Sequence, residues 1–137
     1  MQWQFAKSIA TVYDLWAVES HFNIKLPVVY GRIVLEHHGA RPIPNQFDTY
    51  KRMGHRIKTF LPVSKKEKGN VYDVYAWIQT RLQPGMIPFA SDDGGNYICF
   101  DYKGNEQEPI IVFWNHEVED TMEMVSSSFE GFMKSIY

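Results

Sequence analysis

The sequence predicts an α+β fold, a single domain over residues 1–137 in which helices pack mainly on one side of a mostly antiparallel sheet. Three observations predict it. Residues 86–117 contain three short apolar and aromatic runs, 87–90, 96–102 and 110–114, separated by Ser91-Asp92-Asp93-Gly94-Gly95 and by Lys103-Gly104-Asn105-Glu106. Runs of that length between Gly, Asp and Asn clusters mark consecutive hairpins. Segments on either side carry apolar residues at helical spacing. Finally, 137 residues with 45% apolar and 22% charged content suffice for one core and are too apolar for wholesale disorder.

The elements follow in order. Trp3 and Phe5 alternate with glutamines, as in a short strand or a docked arm. Thr11 and Asp14 form a capping pair, opening a helix whose predicted stripe is Val12, Leu15, Trp16, Glu19 and Phe22. Pro27 suits the first position of a second helix, with Tyr30, Ile33, Val34 and His37 on one face and Gly39 as its stop. The run Ala40-Arg41-Pro42-Ile43-Pro44-Asn45 has two prolines in three residues and reads as an ordered loop. Strands are predicted at 47–50 and 56–63. Asn70 caps a third helix with Asp73 three residues on and a stripe of Val71, Val74, Tyr75, Ile78 and Leu82. After the three-strand meander, 118–125 is either a strand or irregular. Ser127 with Glu130 predicts the box that opens a terminal helix bearing Phe129, Phe132, Met133 and Ile136.

Composition bounds the function. No continuous apolar stretch is long enough for a membrane span, and the first residues lack a basic start and apolar core of a secretory signal. A single cysteine, Cys99, admits no internal disulfide. Together these predict a cytoplasmic protein without a membrane partner. The net charge of −2 hides a segregation: residues 51–81 carry eight basic against two acidic side chains, residues 82–137 two basic against ten acidic. The nine Phe, eight Tyr and four Trp suggest either a ring-packed sheet or a face that offers aromatics to a partner.

No catalytic or cofactor motif emerges. The five histidines (His21, His37, His38, His55, His116) lack metal-ligand spacing and read as helix-end and surface residues. Asp92-Asp93-Gly94-Gly95-Asn96 fails as a calcium loop, because alignment on either glycine puts Phe89 or Ala90 at the first ligand position. It contains no phosphate-loop pattern either, so a turn is the better reading. Cys99 lies within a strand between Ile98 and Phe100, a packing position rather than that of a nucleophile. The carboxylates Asp92, Asp93, Asp101, Glu117, Glu119, Asp120 and Glu123 show no paired spacing for acid–base chemistry. Either they form a solubilising surface, or an acidic patch steers a basic protein partner. The basic stretch 51–68 has few aromatics and no nucleic-acid motif, so it reads as a solvated loop and strand face, without direct nucleic-acid binding.

An ordered set of motifs resembles the SUKH superfamily, named partly for fungal cell-wall synthesis regulators of the Smi/Knr type. The set comprises Glu19, Leu26-Pro27-Val28-Val29-Tyr30, Pro88-Phe89-Ala90-Ser91-Asp92-Asp93-Gly94-Gly95-Asn96, Pro109-Ile110-Ile111-Val112-Phe113, and Ser128-Phe129-Glu130-Gly131-Phe132. One departure is His38-Gly39-Ala40, where the family often has Asn-Gly-Gly. The resemblance implies a non-enzymatic binding domain without cofactor. Bacterial members look like immunity proteins that neutralise a cognate polymorphic toxin, often a nuclease or deaminase, and fungal members act as scaffolds. An immunity protein is therefore expected here, with a scaffold or regulatory module of the cell-wall type as the alternative. The expected partner face is acidic and aromatic: Asp92, Asp93, Asn96, Tyr97, Asp101, Tyr102 and Glu117. It would meet a basic toxin domain.

Overall fold

The computed structural model describes residues 1–119 and 121–137. Its elements run β1 (Gln2–Gln4), α1 (Val12–Phe22), α2 (Val28–His37), β2 (Arg41–Ile43), β3 (Gln46–Phe47), β4 (His55–Phe60) and α3 (Val71–Ile78), the last followed by a 3-10 turn (Gln79–Arg81). Then come β5 (Met86–Asp92), β6 (Tyr97–Asp101), β7 (Ile110–Asn115), β8 (Thr121–Ser126) and α4 (Phe129–Ser135). Strands β3 to β8 pair antiparallel in sequence order, and β1 pairs with β2 in a separate ribbon. The fold is α+β, as the residue pattern predicts.

The six-stranded sheet curls. Register shifts interrupt the β4–β5, β5–β6 and β7–β8 ladders, and such bulges bend a strand and add to its right-handed twist. The two ends of the strand order consequently meet. Thr49, just after β3, donates its hydroxyl to the Glu123 carboxylate of β8 at 2.6 Å, both residues being buried. The outer side of β3 is covered by the chain's last residue, since the backbone groups of Gln46 and Tyr137 exchange two hydrogen bonds of 2.9 Å.

One face of the sheet supplies the aromatic core. Phe89 of β5 stacks on Phe100 of β6 at 4.3 Å, and Tyr30 of α2 meets Phe100 edge-on at 5.1 Å. Phe129 of α4 lies 5.7 Å from Phe89, and Phe132 reaches Phe47 of β3 at 5.7 Å. These contacts lay α2 and α4 across the same face. Each such buried ring stabilises the fold by about 1.5–3 kcal/mol in area alone, and edge-to-face geometry adds to that.

Several expectations are corrected. In α1 the buried face is Leu15, Val18 and Phe22, not the stripe through Val12 and Trp16; those two are 40% and 59% exposed. Glu19 turns aside because its carboxylate accepts the Leu26 N–H at 2.8 Å. Arg41–Ile43 is a strand rather than a loop, Pro42 facing Trp3 in the two-stranded ribbon, an edge setting that tolerates proline. The predicted strand 47–50 shrinks to Gln46–Phe47, since Asp48 and Thr49 spend their side chains on the following turn: Asp48 accepts from Gly54 N–H and Thr49 Oγ1 from Arg52 N–H. Strand 56–63 ends at Phe60, ahead of Pro62, whose carbonyl accepts from Val71. The third helix is α-helical only to Ile78. Ser128, not Ser127, caps α4, accepting from Gly131 N–H at 3.0 Å. Of the ambiguous segment 118–125, residues 121–125 lie in strand β8, while Asp120 lies outside the described residues.

Two histidines read as surface residues are buried. His38 holds the N-terminal arm: its Nδ1 donates to the Ser8 carbonyl at 2.6 Å while Nε2 accepts from Val63 N–H at 2.8 Å. That pair of contacts fixes the Nδ1–H tautomer and gives the departure at His38 a structural role. Gly39 beside it has φ +64°, and a Cβ there would lie 2.6 Å from Lys7 Cγ, so only glycine fits. His55 is described below.

Candidate partner-binding face

The turn between β5 and β6 is stapled by its own side chains. Asp92 Oδ1 accepts from Gly94 N–H at 2.9 Å and Asn96 N–H at 2.7 Å, and Oδ2 accepts from Asn96 Nδ2 at 3.0 Å. Asn96 Oδ1 in turn takes the backbone N–H of His116 at 3.0 Å and its ring Nδ1 at 2.6 Å. The relay Asp92–Asn96–His116 thus ties the β5–β6 turn to the end of β7. Gly95 completes it: φ is +84°, and a Cβ there would stand 3.3 Å from His116 Cε1.

Around this staple the expected face divides. Asp92 and Asn96 are buried and their oxygens are engaged within the chain. Asp93, at the tip of the turn, and Glu117, just past β7, are exposed. Tyr97 is half-buried and stacks on Trp114 at 6.0 Å, and the Arg81 guanidinium lies 5.0 Å from the same indole. Burial, with the nearby Asp92 charge second, pushes the Tyr97 phenol up from its ordinary pKa. Asp101 and Tyr102 sit at the opposite end of β6, about 13 Å away at strand spacing. Asp101 accepts from Lys103 N–H at 2.9 Å, while buried Tyr102 donates its hydroxyl to the Lys25 carbonyl at 2.7 Å. The structure therefore gathers Asp92, Asp93, Asn96, Tyr97 and Glu117 at one end of the meander and leaves Asp101 and Tyr102 at the other.

Behind the sheet seam lies a polar cluster that no spacing in the sequence signals. His55 of β4 stacks on Phe47 and lies 4.4 Å from the Phe113 ring, and its buried Nε2 has no hydrogen-bond partner among the described residues. Burial, helped by the Arg52 charge, lowers its pKa from the ordinary 6.5, against the opposing pull of Glu123, Asp92 and Asp48. Thr49 and His55 share the β3–β4 hairpin, and Glu123, 74 residues on from Thr49, joins them because the sheet curls. Cys99 is fully buried, and burial pushes its thiol well above the ordinary value, disfavouring the thiolate. Among the described residues no three His, Cys, Asp or Glu side chains group as metal ligands. A cleft of about 450 Å³ opens between the starts of α2 and α4, lined by Leu26, Pro27, Val29, Phe129, Glu108 and Glu130 among others.

A profile of the SMI1/KNR4 family (SUKH-1) matches residues 9–135, nearly the whole chain. The chain belongs to that family. It is also similar to the SPbeta prophage-derived uncharacterized protein YokK of Bacillus subtilis (strain 168), 36% identical over 59 residues. That match spans 41% of this chain and 29% of the relative's length. Set on the fold, the family-marking residues are mostly structural: Pro27 opens α2, while Tyr30, Phe89, Phe129 and Phe132 are fully or nearly fully buried. Such residues form the SUKH scaffold. Among the described residues no helix is long and apolar enough to cross a membrane.

Proposed function

We propose that this SUKH-1 chain is a cytoplasmic, non-enzymatic immunity protein that binds and neutralises a cognate protein toxin. The observation that carries the reading is the family match over residues 9–135, and the prophage origin of the Bacillus relative accords with it. The docking face is the β5–β6 turn end. Asp93 and Glu117 present carboxylates to solvent there, Tyr97 over Trp114 supplies a rigid aromatic surface, and the Asp92–Asn96–His116 relay holds the backbone in one shape before binding. A preorganised loop loses little entropy on association. Its charge suits a basic partner such as a nuclease or deaminase domain, drawn in by long-range attraction.

The test is co-expression with the product of the gene immediately upstream. Rescue of growth, with a complex recovered from purified components, is the expected result. A toxin that still kills and does not bind the purified chain overturns the proposal.

A further inference from the structure

The face of α1 turned to solvent is built unlike an ordinary helix surface. Solvent-facing helix positions usually carry charge, yet the outward arc of α1 holds Val12, Tyr13, Trp16, Ala17 and Ser20, none of them charged. The only acids of the helix, Asp14 and Glu19, are spent within the chain: Asp14 accepts from Thr11 N–H at 2.8 Å and Glu19 from Leu26 N–H. Tyr13 is 73% exposed and its ring meets Trp16 edge-on at 5.4 Å, so the two rings hold each other on the surface. Ile9, two residues ahead of the cap, is 88% exposed. Tyr and Trp on rigid elements are the residues that anchor protein interfaces.

The rim of this patch is basic. The N-terminal arm is tied to the loop before α3, because Ser8 N–H donates to Glu67 Oε1 at 3.3 Å. The Ser8 hydroxyl, and after it this N–H, hold the Glu67 carboxyl below its ordinary pKa and engage the one acid of the loop. Lys65, Lys66 and Lys68 of the same loop are exposed. Lys65 Nζ sits 4.9 Å from the Tyr72 ring, and Tyr72 packs against His21 of α1 at 5.0 Å, which brings the loop alongside the helix. Lys7 lies on the arm itself.

We propose that the α1 face is a second docking surface, for an acidic protein segment that places apolar or aromatic side chains on Tyr13 and Trp16 and its carboxylates on Lys65, Lys66 and Lys68. Charge complementarity decides the occupant. This surface is basic-rimmed and apolar, whereas the β5–β6 turn end is acidic, so the two faces select partners of opposite charge. The inference stands apart from the toxin reading, which concerns the other face.

A random-peptide phage library panned on the full-length chain, with counter-selection on the Tyr13→Ala/Trp16→Ala variant, tests it. Both positions are exposed, so the variant keeps its fold, checked by its unchanged melting curve. The expected winners combine aromatic or leucine anchors with an excess of Asp and Glu. As synthetic peptides they bind about tenfold or more weakly to the variant and weaken likewise on Lys65→Glu/Lys66→Glu/Lys68→Glu. Winners that are neutral or basic, or that bind the double variant equally, overturn the proposal. So does binding of the chain to phosphatidylserine vesicles that the double variant loses, which would assign the face to an anionic lipid surface. A concentration-dependent dimer abolished by Trp16→Ala would assign it to a second copy and likewise overturn it.

Discussion

Tyr13 and Trp16 on α1 and the rings beneath α2 and α4 are the same chemistry put to opposite uses. Tyr30, Phe89, Phe100 and Phe129 interlock at centroid distances of 4.3–6.0 Å and are almost fully buried. Tyr13 and Trp16 meet edge-on and stay 73% and 59% exposed. A buried ring contributes because removing it leaves a void that the packed neighbours cannot fill. An exposed ring contributes to the fold almost nothing and keeps its apolar area for a partner. The carboxylates of the turn repeat the division: Asp92 is consumed by three hydrogen bonds, and its neighbour Asp93 by none within the staple.

The largest expected contrast is between Phe89→Ala and Trp16→Ala. The first removes a ring from the centre of the core and costs about 3–5 kcal/mol, a large share of the ~5–15 kcal/mol total of a domain. The second shifts stability by no more than about 0.5 kcal/mol. Urea midpoints decide it, and a comparable loss at Trp16 would break the division between the two ring clusters.

Asp92→Ala comes next, at about 2–3 kcal/mol, since charge-assisted bonds to two backbone N–H groups and the Asn96 amide are lost together. Asp93→Ala stays within about 0.5 kcal/mol. If the two variants melt alike, the turn is not held by the Asp92 staple. Thr49→Val strips the hydroxyl from buried Glu123 and is expected to cost about 1–3 kcal/mol. Amide exchange that quickens along β8 and β3 together would place the loss at the sheet seam.

A smaller effect is set by pH. The folded-state pKa of His55 lies below the 6.5 of the free side chain, so the unfolded chain takes up its proton first. Stability is full above pH 6.5 and declines as the pH falls through that value towards the lower folded one. Asp48 acts in a separate window. The Tyr137 hydroxyl and then Gly54 N–H hold its carboxyl below 3.8, so its contribution is present above that pH and is lost as acid protonates it in the fold. His55→Phe keeps the stack on Phe47 and is expected to flatten the upper slope alone; an unchanged slope there would exclude His55 as its source. The slightest effect on stability belongs to Asp93→Asn/Glu117→Gln, within about 0.5 kcal/mol. Association with the proposed toxin partner should nevertheless slow several-fold at low salt and lose salt dependence. Stopped-flow rates that stay unchanged across salt would remove the acidic face from the docking model.

Much of this molecule was legible in one dimension. The Gly- and Asp-rich punctuation placed the meander, the capping pairs at Thr11 and Asn70 placed two helices, and the ordered motifs named the SUKH family, because turns, caps and periodicity act over a few residues. The fate of each side chain was not legible. Spacing alone let Val12 and Trp16 serve as the inner stripe of α1 as well as Leu15, Val18 and Phe22 do, and only the packing of Phe22 on Tyr72 and Tyr75 at the start of α3 chose between them. Likewise the sequence showed a row of acids and aromatics from Asp92 to Glu117, and the strand geometry sorted it: Asp92 and Asn96 into a staple, Asp93 and Glu117 onto the surface, Asp101 and Tyr102 to the far end. Glu123 meets Thr49 and its hairpin neighbour His55 only where the curled sheet brings its edges together. Local rules fix which elements form, and burial, which depends on every element at once, decides which residues remain free to bind.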